Sequence, residues 1–247
     1  MSRNFDLMQE AENDRAFHGN QTIEAVFSAS GDDNGNAHGQ WADDGALRLV
    51  QQIFLLQTQE APRMVVFAGI DHGSGCSRMA ASVAETLAGN ARGAVCLVEA
   101  NFRSPALPAM LGTANHHGLT DALLRDGPIG SFAEPVLSDN LWLLSSGSLA
   151  ADSPNLLSSE RLKARVLELR KEFDFVIVDA PPLTRYPDAI ALGQVSDGIV
   201  LILEANSTRR EAALAAMEGL RSSGIKIIGA VLNKRTFPIP EKIYRRL

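Results

Sequence analysis

The segment GIDHGSGCSR, which begins at Gly69, has the residue types that surround a bound phosphate. Its glycines allow the backbone to turn tightly, so that successive N–H groups can point toward one anion. The helix predicted to begin near Ser77 adds the partial positive charge of a helix N-terminus. The sequence therefore predicts an anion site. Its candidate residues are Gly73, Ser74, Gly75, Cys76, Ser77 and Arg78.

This segment resembles the standard phosphate loop, GxxxxGK(S/T), but departs from it at two positions. Gly75 matches the second glycine and Ser77 the magnesium-binding hydroxyl, whereas Gly69 lies one residue before the first glycine position, which is Ile70. Cys76 occupies the lysine position, and a thiol lacks the positive charge that offsets phosphoryl transfer. Two interpretations stay open: a nucleotide site of reduced strength, and a strand-to-helix turn that binds nothing. A dinucleotide fingerprint, GxGxxG, is disfavoured because Arg78 takes the place of its third glycine.

Two acidic residues follow apolar runs elsewhere in the chain. Glu99 ends AVCLVE, and a carboxylate there could hold a magnesium-bound water or polarise an incoming hydroxyl. Asp179 stands near the end of FVIVDA, where P-loop ATPases keep a magnesium carboxylate. A lone Asp at a strand end is more often a turn or helix cap, but three loops of the phosphate-binding type in one predicted sheet favour the metal. Glu99 and Asp179 are the candidate catalytic residues, and Ser77 and Asp179 the candidate metal ligands.

The elements that must position these residues are short apolar runs alternating with amphipathic stretches. Near-continuous Val, Ile and Leu content is typical of strands that are covered on both faces. The pattern predicts a single α/β domain with a doubly wound, mainly parallel sheet and helices on both faces. Ligands of such sheets bind beyond the carboxyl ends of the strands. The candidate strands are MVVFAG, AVCLVE, LWLLSS, FVIVDA, GIVLILE and IIGAVLN, and Ala46 to Leu56 is predicted to be a helix that enters the core.

The composition limits the possible functions. A chain of 247 residues with 45% hydrophobic content can form one large domain, predicted over 45–247, after a flexible polar extension over 1–44. The net charge of −6 argues against a nucleic-acid partner. The 2 cysteines are too few for a zinc cluster. No run approaches the roughly 20 apolar residues of a membrane span, and we expect a cytoplasmic protein.

Over roughly residues 46–235 the motifs resemble, in order, those of the bacterial tyrosine kinases of capsular and exopolysaccharide biosynthesis. These kinases are relatives of the partitioning and division-site P-loop ATPases. The family's SxxPGEGKS is similar to AGIDHGSGCS, its LLIDADLRRP to CLVEANFRSP, and its FDxVIIDTPP to EFDFVIVDAPP. Between these motifs, GLTDALL and SGSLAADSPNLLSSERLKARV are similar to further family segments, and IIGAVLNK follows near the end.

The resemblance implies ATP and Mg²⁺ as cofactors and transfer of the γ-phosphoryl group to tyrosine. It places Glu99 and Asn101 at the second acidic loop, Asp179 at the third, and Asn233 where the base is held. It also implies a membrane polysaccharide copolymerase or chain-length regulator as partner, which would recruit the chain to the inner face of the membrane. A homo-oligomer is a further implication.

The departures from the family pattern concern chemistry. Cys76 replaces lysine, Glu99 lengthens the first Asp of the second loop, and Asn101 removes the charge of the second. The resulting hypothesis is a kinase-like ATPase with weakened or lost use of ATP. The alternative is a non-catalytic pseudokinase adaptor that docks on the copolymerase or on an active kinase. Because helix N-termini lower thiol pKa values, a reactive Cys76 thiol is a further hypothesis.

Two other family features are incomplete. Tyr244 stands alone where a C-terminal tyrosine cluster is usual, and Tyr186 is interpreted as a packing residue and not as a phosphorylation site. The oligomer motif ExxRxxR aligns with Gly45, Arg48 and Gln51, so only its central Arg is present. A third hypothesis, a partitioning-type ATPase that positions cargo, is disfavoured by the kinase-like segment over 118–166.

Overall fold

A computed structural model describes residues 25–26, 44–55, 61–147 and 160–234. The strands are β1 (Ala25–Val26), β2 (Met64–Gly69), β3 (Val95–Glu99), β4 (Glu134–Val136), β5 (Ser138–Leu144), β6 (Phe175–Ala180), β7 (Gly198–Glu204) and β8 (Ile227–Asn233). The helices are α1 (Asp44–Val50), α2 (Cys76–Asn90), α3 (Leu107–Leu111), α4 (Leu119–Leu124), α5 (Glu160–Glu172), α6 (Asp188–Gln194) and α7 (Arg210–Ser222). A π-helical turn, Gln51–Leu55, continues α1, and a 3₁₀ turn spans Ile129–Phe132.

The strands form one sheet in the order β1-β8-β7-β2-β6-β3-β5-β4. Every neighbouring pair is parallel except β4 and β5, which are antiparallel. The order places β2 and β6 in the centre with helices on both faces. The predicted α/β fold with a mainly parallel sheet is therefore confirmed.

The apolar runs are continuous because the core lies on both sides of the sheet. Along β2, Val65 and Phe67 pack in the cluster that contains α1 and α2, whereas Met64 and Val66 pack in the cluster of α5, α6 and α7. Alternate residues of a strand face opposite sides, so both sets must be apolar. All six residues of β2 are buried. This double covering fixes the carboxyl end of β2 rigidly.

Each of the six predicted strands is present. The antiparallel edge strand β4 was not predicted, and β5 begins at Ser138, three residues before the predicted run. The reason is that Glu134 and Pro135 are exposed, so β4 carries no apolar signal and depends on pairing with β5. The predicted helix from Ala46 is confirmed as α1 and its π-helical continuation.

The predicted flexible extension over 1–44 falls largely outside the described residues. Within it, Ala25 and Val26 form β1, which pairs in parallel with Val231 and Leu232 at the edge of the sheet. For the remaining positions the extension stays a prediction. None of the helices among the described residues has the length and apolar character that a membrane span needs.

Candidate functional site

The glycine-rich loop and the two predicted carboxylates meet at one edge of the sheet. Strand β6 lies between β2 and β3, and all three run in the same direction. Asp179 on β6 is paired with Phe67 on β2 and with Glu99 on β3. The loop that follows β2 therefore lies beside Asp179, as the carboxyl-end rule for parallel sheets predicts.

Two glycines give the loop its shape. Gly73 and Gly75 have φ angles of 85° and 84°, in the left-handed region that side-chain-bearing residues avoid. Gly75 is also the N-cap of α2, and a Cβ there would overlap Nδ2 of Asn233. A Cβ at Gly69 would likewise overlap Oγ of Ser74. Side chains larger than hydrogen would therefore disrupt the turn that leads into α2.

The loop is held through its carbonyl groups by residues at the end of β8. Asn233 is buried, and its Nδ2 donates a hydrogen bond of 2.8 Å to the Ser74 carbonyl. Lys234 Nζ donates one of 2.6 Å to the Gly73 carbonyl. The first N–H groups of α2 have no acceptor within the helix, as at every helix N-terminus. Arg78 lies exposed on that first turn. The helix start is therefore open to an anion, and binding of an anion by the loop stays a prediction.

Asp179 is completely buried, and neither of its carboxylate oxygens accepts a regular hydrogen bond. Burial raises its pKa to about 6. The Ser77 hydroxyl and Cys76 thiol are close enough to lower this pKa in part, although neither is aligned for a regular hydrogen bond. Buried carboxylates without partners are costly and uncommon. A cation bound beside Ser77 would satisfy both oxygens.

Glu99 is also completely buried, but both of its oxygens are occupied. Oε1 accepts a hydrogen bond from the Ala106 N–H and Oε2 from the Leu107 N–H, each at 3.0 Å. Burial first, and then the charge of Asp179, raise the pKa of Glu99 to about 8, while the two amides act in the opposite direction. The carboxyl group therefore secures the start of α3. A catalytic role stays a prediction and would require release of these bonds.

The hypothesis of a reactive Cys76 thiol expected a lowered pKa, but the pKa of this thiol is raised. Burial, and after it the Asp179 carboxylate, raise the pKa of this thiol well above its ordinary value. The residue keeps partial exposure, but a carboxylate neighbour and a desolvated setting outweigh the helix N-terminus. The thiol is thus protonated at neutral pH and adds no charge to the loop.

The residues present fit magnesium better than a metal held by protein side chains alone. Among the described residues, no group of three or more His, Cys, Asp or Glu side chains converges on one point. Magnesium is commonly bound through one or two carboxylates together with phosphate oxygens and water. Asp179, with its unpartnered oxygens, and the Ser77 hydroxyl would complete such a site with a nucleotide.

Arg103, which the sequence did not single out, links the second and third loops. Its Nη2 is 3.2 Å from Oδ2 of Asp188 at the start of α6. Its guanidinium lies 4.0 Å from the centre of the Tyr186 ring. The interpretation of Tyr186 as a packing residue agrees with this contact. The sequence signal for Arg103 was its position shortly after Glu99 and Asn101. Asn101 is buried.

The remaining predicted positions lie apart from this edge or outside the described residues. Gly45 is buried on α1, whereas Arg48 and Gln51 are exposed on α1 and its continuation. An oligomer through this helix stays a prediction. Tyr244 lies outside the described residues.

Comparisons with known proteins connect the chain with protein-tyrosine kinases. No protein-family model matches. The chain is 33% identical over 161 residues to the tyrosine-protein kinase YwqD of Bacillus subtilis, and the aligned region covers 65% of this chain and 68% of YwqD. It is 26% identical over 161 residues to the putative tyrosine-protein kinase CapB of Staphylococcus aureus, over 65% of this chain and 70% of CapB. The match to the tyrosine-protein kinase wzc of Salmonella typhi, 26% over 193 residues, spans 76% of this chain but 26% of wzc.

Solved structures share the fold. The chimerical protein CapA2B2 superposes with a TM-score of 0.79 at 19% identity, over 92% of this chain and 99% of that one. The kinase domain of the Escherichia coli tyrosine kinase ETK gives 0.77 at 17% identity, over 91% and 95%. The septum site-determining protein MinD from Pyrococcus horikoshii, complexed with Mg-ADP, gives 0.60 at 18% identity, over 74% and 76%. At these identities the likeness establishes the architecture.

Proposed function

The chain belongs to the bacterial tyrosine kinase family, and on that premise we propose that it is a kinase-like P-loop ATPase of capsule or exopolysaccharide biosynthesis with weakened use of ATP. Its cofactors would be ATP and Mg²⁺, as in the Mg-ADP complex of the structurally similar MinD. The site would still bind ATP-Mg²⁺, but phosphoryl transfer would be impaired.

The unpartnered carboxylate of Asp179 is the observation that supports retained binding of magnesium and nucleotide. A completely buried carboxylate with two unused oxygens is expensive to maintain unless a cation occupies the site in the working protein. Ser77, at the start of α2, is near enough to share that cation. The N–H groups of the loop over 73–77 would bind the phosphates.

Phosphoryl transfer would be impaired because the site lacks a positive charge at position 76 and a good proton acceptor at Glu99. Asp179 and Ser77 would hold the magnesium ion, which would supply positive charge that neutralises part of the phosphate charge. Cys76 contributes no positive charge, so stabilisation of the transition state would be reduced. Both oxygens of Glu99 accept hydrogen bonds from backbone N–H groups, and with its pKa raised to about 8 the carboxyl is mostly protonated at neutral pH, so it is poorly suited to accept the proton of a tyrosine hydroxyl. We therefore infer that phosphoryl transfer is slow.

The test is the melting temperature of the purified chain with and without saturating ATP-Mg²⁺. A ligand that binds only the native state must stabilise it, by about 2.7 kcal/mol at a concentration of 100 Kd. We expect a gain that depends on magnesium and disappears in Asp179→Asn. A matched control is Asp139→Asn, an exposed residue of β5 that is remote from the loop. Absence of any gain in the native chain would rule out the proposed ATP use.

A second candidate function is a pseudokinase adaptor. The observation that favours it is that two residues at the positions of kinase chemistry are not suited to it. Glu99 is hydrogen-bonded to the start of α3, and Cys76 has a protonated thiol in place of an ammonium group. Such an adaptor would dock on a membrane polysaccharide copolymerase, a chain-length regulator or an active kinase, and would be recruited to the inner face of the membrane. It predicts that capture of the partner survives Ser77→Ala and Asp179→Asn. Loss of capture in either variant would argue against it.

A further inference from the structure

Lys234 brings an ammonium group to the same loop in which Cys76 replaces lysine. It follows the last residue of β8, and its Nζ lies 2.6 Å from the Gly73 carbonyl oxygen. The same Nζ lies 3.2 Å from Oε1 of Glu204, at the end of β7. The side chain retains 45% of its exposure, so it has room to change its partner.

The backbone directs this side chain back over the loop. Lys234 has a φ angle of 57°, which is uncommon for a residue with a side chain. Its N–H donates a hydrogen bond of 2.8 Å to Oδ1 of Asn233, and the amide of Asn233 also holds the Ser74 carbonyl. A Cβ placed on Gly75 would lie 3.9 Å from Cε of Lys234. The lysine stem therefore passes close to the N-cap of α2.

The present partners of the ammonium are weak competitors for a polyphosphate. The Gly73 carbonyl is neutral, and the Glu204 side chain is 26% exposed, so solvent screens its charge. The phosphates of ATP carry several negative charges and would be bound by the adjacent N–H groups. A hydrogen bond from an ammonium to a charged phosphate oxygen is stronger than one to a neutral carbonyl, because both of its partners are charged.

We propose that Lys234 is a phosphate-binding residue that supplies, from the end of β8, the positive charge that position 76 lacks. This inference rests on the proposed function and identifies the residue that keeps nucleotide affinity measurable. The alternative for the same contact is a latch that only fixes the shape of the loop. The two differ in their response to nearby charge: a direct phosphate ligand should bind ATP more tightly when the Glu204 carboxylate is neutralised, and a lysine at position 76 should replace it, whereas neither change would act on a latch.

The first experiment measures affinities for ATP-Mg²⁺ and for adenosine by calorimetry. Lys234→Gln should weaken ATP binding by about tenfold or more, a change of about 1.4 kcal/mol, and should leave adenosine binding unchanged. The matched control is Lys226→Gln, which removes the same charge from an exposed residue just before β8, at the opposite end of the strand. It should bind ATP as the native chain does.

A second set of variants separates charge from loop shape. Glu204→Gln should raise ATP affinity several-fold because it removes a competitor for the ammonium, and the gain should vanish in the Glu204→Gln, Lys234→Gln double variant. Cys76→Lys should restore ATP affinity to Lys234→Gln. The Glu204→Gln result does not depend on whether Lys234→Gln folds, so the test survives loss of that variant.

The outcomes are distinguishable. If the native chain binds ATP and Lys234→Gln binds it equally well, the inference is wrong and the proposed function stands. If Glu204→Gln binds ATP no more tightly than the native chain, Lys234 is a latch and the inference is also wrong. If the native chain and Cys76→Lys both fail to bind ATP, the proposed function fails and the inference falls with it.

Discussion

Glu99 and Asp179 are directly paired residues on adjacent parallel strands, and both carboxyl groups are completely buried. Glu99 is bonded to two backbone amides, whereas Asp179 has no regular hydrogen-bond partner. Two carboxylates this close cannot both carry a charge cheaply in a desolvated setting. The pair therefore favours the binding of protons, or of a cation, at this edge of the sheet.

The first prediction concerns pH and the stability of the nucleotide-free chain. In the folded state burial raises the pKa of Glu99 to about 8 and that of Asp179 to about 6, from the ordinary values of 4.5 and 3.8. Raised carboxyl pKa values mean that the native state binds more protons than the unfolded state, so stability falls as pH rises. We expect the free energy of unfolding to be higher at pH 5.5 than at pH 8, by about 3 to 4 kcal/mol.

Denaturant unfolding at the two pH values measures this difference. Asp179→Asn removes one of the two charges and should flatten the dependence. Asp197 does not contribute to the difference between these two pH values: burial would raise its pKa, but its hydrogen bonds to Arg170 outweigh burial and lower it. Its contribution is lost only at acid pH, below the window used here. Stability that is constant or rises between pH 5.5 and 8 would contradict the prediction.

The second prediction concerns Glu99 as a support for α3. Glu99→Ala leaves the N–H groups of Ala106, which is half-buried, and Leu107, which is buried, without their acceptor, and this should destabilise the chain by about 2 to 4 kcal/mol. Amide hydrogen exchange over 100–107 should become faster. Glu134→Ala, at an exposed position of β4, is the control and should change neither quantity. Unchanged exchange in Glu99→Ala would show that the two hydrogen bonds do not support α3.

The third prediction concerns backbone conformation in the loop. Gly75→Ala forces a side chain into the left-handed region and into Nδ2 of Asn233, so we expect a loss of more than about 2 kcal/mol in the free energy of unfolding. Gly89→Ala in the same helix meets no atom within 4 Å. That control should be neutral or stabilise the chain by about 0.5 to 1 kcal/mol, through helix propensity. Equal effects of both substitutions would refute the steric argument.

The fourth prediction concerns the thiol at the lysine position. Because burial and Asp179 raise the pKa of Cys76, alkylation by iodoacetamide at pH 7.4 should be much slower than in the unfolded chain. Cys96 is buried in β3 with a raised pKa as well, and it provides an internal reference for slow reaction. Asp179→Asn should accelerate modification of Cys76 alone. Rapid labelling of Cys76 in the native chain would be the opposite result.

The sequence was sufficient to predict the sheet and the position of the glycine-rich loop beside Asp179. Strands covered on both faces leave continuous apolar runs, and parallel strands deliver their carboxyl ends to one edge. It was insufficient for β4, whose exposed residues Glu134 and Pro135 have no apolar pattern and which exists through pairing at the edge.

The contacts that define the site chemically could not be predicted because they join distant segments. Lys234 reaches Gly73 across 161 positions of the chain, and its direction depends on a left-handed backbone conformation. The role of Glu99 depends on the path of the loop that returns Ala106 to the end of β3. Propensity and spacing carry no information on either arrangement, since both follow from tertiary packing.

The measurement that tests the central claim most directly is the dissociation constant for ATP-Mg²⁺ of the native chain beside that of Cys76→Lys. We expect measurable, magnesium-dependent binding by the native chain and binding at least about tenfold tighter by Cys76→Lys, a gain of about 1.4 kcal/mol from one restored charge. No binding by either protein, or equal binding by both, would contradict the account of a nucleotide site that is retained but weakened at position 76.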